Sequence, residues 1–147
     1  MRTRSRVVFL TVLVGVASVA SAHFAYRHFS PPRGLTLVDA AVVVDGVLRV
    51  CPATPYSKGA AWFERPQRVD AGFVTRFAFQ FTQQQQLGGD GFAFVIQDHA
   101  RDAIGSVYGG ALGYSDWPEC GPGGIPSSLA VEFDLWRNVE WDDPDDN

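Results

Sequence analysis

The chain has 147 residues, enough for one domain, and its 46% apolar and 13% aromatic content supplies a core and excludes a disordered composition. Its formal charge is −4, which becomes −7 once Arg2, Arg4 and Arg6 are set aside. A surface so acidic excludes a protein that tracks the phosphate backbone, and no nucleic-acid partner is expected.

Residues 1–22 read as an export signal. Arg2, Arg4 and Arg6 form a positive start, Val7 to Ala20 is an apolar run of fourteen, and Ala20-Ser21-Ala22 offers a small-residue cleavage site before His23. Fourteen residues are short for a bilayer span, so an uncleaved membrane anchor stands as the alternative. A secreted or extracytoplasmic product beginning near His23 is expected. Residues 23–34 form a lead-in that ends in Pro31-Pro32, and no function is visible there.

From Leu35 onward the chain is punctuated into short β-branched and aromatic runs. Leu35 to Val38, Ala41 to Val44 and Val47 to Val50 are divided by Asp39 and by Asp45-Gly46, a hairpin signal when it lies between apolar runs. Further runs follow at Ala60 to Phe63, Gly72 to Thr82 and Gly91 to Gln97, and no stretch reads as a helix. In the longest of these, Phe73, Thr75, Phe77, Phe79 and Phe81 share one face, as a core-facing strand requires. Gln83 to Gln86 reads as a solvated hairpin tip. Short strands with turns between them predict an all-β antiparallel sandwich. In an oxidising compartment Cys51 and Cys120 either form a disulfide, or Cys51 is a small buried residue of the run Val47 to Cys51.

Three stretches carry polar chemistry. Asp90 stands between Gly88-Gly89 and the apolar run that opens at Gly91, and by itself it is a turn residue. Tyr108 to Tyr114 is a glycine-rich loop, either a flexible connection or a place where a ligand meets the backbone. The third stretch runs from Ser128 to Asn138. Strand alternation there predicts Glu132, Asp134 and Trp136 on one face and Val131, Phe133 and Leu135 on the other. Neighbouring carboxylates repel unless a cation sits between them, and Asn138 and Asp143 would extend an oxygen cage suited to a hard ion. Seven of the sixteen acids lie after Val131, so a solvated acidic tail is the competing reading.

The order Val131-Glu132-Phe133-Asp134, then an aromatic residue, Asn138 and Asp143-Pro144, resembles the metal-binding loop of legume-type (L-type) lectins, including bacterial relatives. The strand Gly72 to Phe79 and the glycine loops fit the same family. The resemblance implies a concanavalin-like antiparallel β-sandwich, or jelly roll, with residues 35–147 forming the N-terminal part of the domain. It implies Mn2+ or another transition ion at Glu132 and Asp134, and Ca2+ at Asp134, Asn138, Asp143 and the Trp136 carbonyl. The family's metal-binding His falls one residue past Asn147, so the sandwich is expected to be truncated and the transition-ion site incomplete.

The same resemblance assigns sugar binding to Asp90, Gly110, Trp136 and Asn138, with a cis peptide before Asp90. A carboxylate accepts from adjacent hydroxyls, an amide and a backbone N–H donate, and an aromatic ring covers the C–H face of a pyranose. The implied function is a secreted, calcium-dependent, non-enzymatic carbohydrate-binding lectin, able to form a homo-oligomer in the full-length protein. Two alternatives stand beside it. Glu132-x-Asp134 is similar to the catalytic strand of laminarinase-type glycoside hydrolases, although Trp136 occupies that family's third acidic position. The other is an adhesion or structural module without sugar affinity.

Overall fold

A computed structural model describes residues 8–13, 24–82, 88–116 and 124–139, with the backbone alone for residues 8–13. Its strands are β1 (Val8–Leu13), β2 (Leu35–Asp39), β3 (Val42–Val44), β4 (Val47–Arg49), β5 (Gly59–Phe63), β6 (Val74–Phe79), β7 (Gly91–Gln97) and β8 (Ser128–Asp134). A short 3-10 turn spans Gly109–Ala111. The strands pair antiparallel as β1 with β6, β2 with β5, β3 with β4 and β7 with β8. An all-β antiparallel architecture is therefore what the residue pattern produces.

The chain divides into two compact units, Met1–Arg27 with Arg65–Gln83, and His28–Glu64 with Gln84–Asn147. In the first unit β6 alternates between exposed and half-buried positions, with Thr75, Phe77 and Phe79 inward and Val74, Arg76 and Ala78 outward. The aromatic rings stay in register along the chain, Phe77 and Phe79 with centroids 6.2 Å apart and Phe79 and Phe81 5.6 Å apart. The partner of β6 is β1, from Val8 opposite Phe79 to Leu13 opposite Val74. That strand lies inside the expected export signal: the same apolar, β-branched residues that suit a signal also satisfy an open strand edge.

In the second unit Asp45 and Gly46 carry φ values of 51° and 78°, the left-handed pair that a two-residue hairpin needs, and β3 and β4 flank them. Strand β4 stops at Arg49, so Cys51 lies beyond it and is an exposed free thiol, not a buried strand residue. Cys120 lies outside the described residues. Deep burial falls mostly on alanine: Ala41, Ala103, Ala111 and Ile125 are the buried apolar residues described. Among the described residues no large side chain is fully enclosed.

Candidate functional site

The site is built where β7 begins and β8 ends. Their register sets Gly91 opposite Asp134 and Phe92 opposite Phe133, and these two rings stack with centroids 4.6 Å apart and planes at 7°. Cross-strand aromatic pairs of this kind hold a register firmly. Asp90 and Leu135, just outside the ladder, continue it with a hydrogen bond of 2.6 Å from the Leu135 N–H to the Asp90 carbonyl. The Gly89–Asp90 peptide is cis, as the family resemblance implies for that junction.

Beyond Asp134 the chain leaves the strand. The Asp134 carboxylate accepts the Trp136 N–H at 2.9 Å, a local side-chain bond that competes with strand continuation. The expectation that Glu132, Asp134 and Trp136 share one strand face is therefore corrected, because the strand ends at Asp134 and Trp136 belongs to the turn after it. This turn brings Trp136 over Gly89, where a Cβ would lie 3.0 Å from the Trp136 Cβ. Trp136 remains 40% exposed, so it is a surface aromatic and not a core residue. Asn138 ends the turn as the buried polar residue of the described set.

The glycine loop meets the same place from the other side. A Cβ at Gly109 would lie 3.4 Å from Asp90 Oδ2, so the backbone next to Gly110 closes on that carboxylate. Polar bonds hold this loop where strand pairing does not. Lys58 Nζ donates to the carbonyls of Gly105 and Ser106 at 2.6 and 2.8 Å, and the Trp62 indole N–H to that of Ala103 at 2.7 Å. Asp116 accepts from the Ser106 N–H at 3.0 Å, the Ser106 hydroxyl at 2.5 Å and the Gly124 N–H at 2.8 Å. The Ser106 hydroxyl, foremost, and the backbone N–H groups hold the Asp116 carboxyl below the usual carboxylate range.

Two carboxylates meet at the centre. Burial, and then the neighbouring Asp134 carboxylate, push the Asp90 carboxyl above its ordinary range. Two carboxylates in mutual repulsion, with the Asn138 amide oxygen and turn carbonyls close in sequence, are oxygen donors of the kind a hard cation takes. Glu132 accepts the Tyr114 hydroxyl. Burial, that hydrogen bond and the Glu132 charge push the Tyr114 hydroxyl up to about 12. Among the described residues no three His, Cys, Asp or Glu side chains converge closely enough to hold an ion. The expected calcium set draws on Asp134, Asn138, the Trp136 carbonyl and Asp143, and Asp143 lies outside the described residues.

Asp90, the Gly109–Gly110 backbone, Trp136 and Asn138 are thus drawn from three separate stretches towards one end of the β7–β8 pair. Sequence reasoning missed Tyr114, Asp116 and Lys58, which act over long separations and leave no local pattern. An open cleft of about 270 Å3 lined by His99, Asp102, Ile104, Ile125 and their neighbours contains none of the candidate residues.

Comparison with known proteins gives the class. Residues 21–147 match the legume lectin domain, and the chain belongs to that family. The putative L-type lectin-domain containing receptor kinase I.11 of Arabidopsis thaliana is 32% identical over 139 residues, covering 86% of this chain and 20% of its own. A lectin of Bauhinia forficata is 29% identical over 128 residues, covering 82% of this chain and 54% of its own. Lectin 8 of Medicago truncatula is 30% identical over 154 residues, covering 92% and 56%. The chain thus spans about half the length of these lectins and about a fifth of the receptor kinase. No solved structure matches it significantly.

Proposed function

We propose that this chain is the N-terminal part of an exported lectin that binds carbohydrate with the help of calcium. The observation that carries the reading is the meeting of the Asp90 carboxylate, the Gly109 backbone and the Asp134–Asn138 turn at one end of β7 and β8. A half-buried carboxylate accepts hydrogen bonds from two neighbouring sugar hydroxyls, and the loop N–H at Gly110 and the Asn138 amide donate to them. The exposed Trp136 ring covers the C–H face of the pyranose. Asp134, Asn138, the Trp136 carbonyl and Asp143 would hold calcium, which neutralises the carboxylate pair and fixes the turn that presents Trp136 and Asn138. A transition ion would draw on Glu132 and Asp134.

Hydrolysis is disfavoured by the same residues. Retaining hydrolysis needs two carboxyls flanking the bond at roughly 5.5 Å, yet Glu132 is engaged by Tyr114 and the third alternating position is Trp136. Asn138→Ala is expected to weaken glycan binding tenfold or more, since a lost sugar hydrogen bond costs about 1 to 3 kcal/mol. Titration calorimetry on the variant checks this, and an unchanged affinity would contradict it. Turnover of a β-glucan that is abolished by Glu132→Gln would instead establish the hydrolase.

A further inference from the structure

We propose that Tyr56 and Tyr108 form an aromatic platform that binds the second sugar unit of an oligosaccharide whose first unit is held at Asp90. The proposal rests on the carbohydrate reading above and assigns it an extended subsite. The two rings come from loops 52 positions apart in the chain, and their centroids lie 5.1 Å apart with planes inclined at 59°. Both face water, Tyr56 at 79% exposure and Tyr108 at 38%. A pair of large aromatic rings brought together at the surface contributes little to a core, and exposed aromatics with a polar tip are what binding surfaces use.

Position ties the pair to the site. Tyr108 directly precedes Gly109, whose Cβ position is 3.4 Å from Asp90 Oδ2, and successive Cα atoms are only about 3.8 Å apart. The Tyr108 ring therefore begins one residue from the carboxylate that takes the first sugar. Tyr56 is held in place by its own loop. Two residues on, Lys58 Nζ clamps the carbonyls of Gly105 and Ser106, so the Tyr56 loop and the Tyr108 loop are joined on their polar side. Tyr56 also adopts φ of 60°, a left-handed conformation unusual for a bulky side chain and maintained here at the surface.

The chemistry selects the occupant. A pyranose offers an apolar C–H patch on one face and hydroxyls around its rim. Two inclined rings with hydroxyl tips match both features, with the ring faces taking the patch and the phenol groups bonding the rim. Because the rings already touch each other, little conformational freedom is lost on binding. A charged or extended peptide ligand would find no complementary ion or strand edge in this ring pair.

The test is titration calorimetry on the protein in calcium with mannose, glucose and galactose and with their linked di- and trisaccharides. The wild type is expected to bind at least one oligosaccharide roughly tenfold more tightly than its monosaccharide, a gain of the size that aromatic stacking supplies. Tyr56→Ala and the double variant with Tyr108→Ala should abolish that preference and leave the monosaccharide affinity unchanged, while Tyr56→Trp restores it. A preference that survives in the double variant, or is absent from the wild type, overturns the subsite alone. Failure of the wild type to bind any saccharide overturns the carbohydrate reading and the subsite with it.

Discussion

Asp90 is held in the fold at some expense to stability. Its carboxyl is raised by burial and by Asp134, so the folded chain holds a repulsion that an amide would not feel. Asp90→Asn is therefore expected to melt no lower than the wild type in chelator, yet to lose glycan affinity tenfold or more, and paired thermal melts and binding measurements check both halves. Asp116 behaves in the opposite way. Its carboxyl is held low by Ser106 and by backbone N–H groups, so it stabilises the fold above the unfolded carboxylate range. That contribution is lost as the pH falls through the lower folded value. Asp116→Asn should lower the Tm at neutral pH and show a smaller difference in acid, which melts across the acidic range would reveal. Asp90 was legible only through its family context, since an Asp in a glycine turn is ordinary. Asp116, Tyr114 and Lys58 were not legible, because their partners lie 8 to 48 positions away.

At the scale of elements, what a single residue dictates was readable and what a choice between neighbours dictates was not. The β3–β4 hairpin follows from Asp45-Gly46, and the half-buried face of β6 follows from alternation at Thr75, Phe77 and Phe79. The end of β8 escaped prediction because the Asp134 side chain competes with the ladder for the Trp136 N–H. The β7–β8 pair is the frame of the site, and a Cβ at Gly91 would meet the Phe133 carbonyl oxygen at 2.2 Å. Gly91→Ala should destabilise the chain by about 3 kcal/mol through forced strand separation, as a denaturant midpoint would report. Strand β1 raises a different expectation. A product that begins at His23 would lack the strand paired with β6, and the amides of Val74–Phe79 should exchange faster in it than in the precursor.

For the whole molecule, the buried apolar residues described are three alanines and Ile125, and the site is braced by polar contacts between loops. An ion at the Asp134–Asn138 turn would add stability to the native state. At a hundredfold excess over Kd that gain is about 2.7 kcal/mol, so calcium should raise the Tm and chelator should reverse the shift. The central claim is that sugar recognition depends jointly on Asp90 and on calcium at the neighbouring turn. The measurement that tests it most directly is glycan-array binding of the wild type and of Asp90→Ala, each in calcium and each in chelator. The expected result is saccharide binding by the wild type in calcium alone, with at least a tenfold loss in the other three conditions. Equal binding by Asp90→Ala, or binding by the wild type that chelator leaves untouched, would contradict the account.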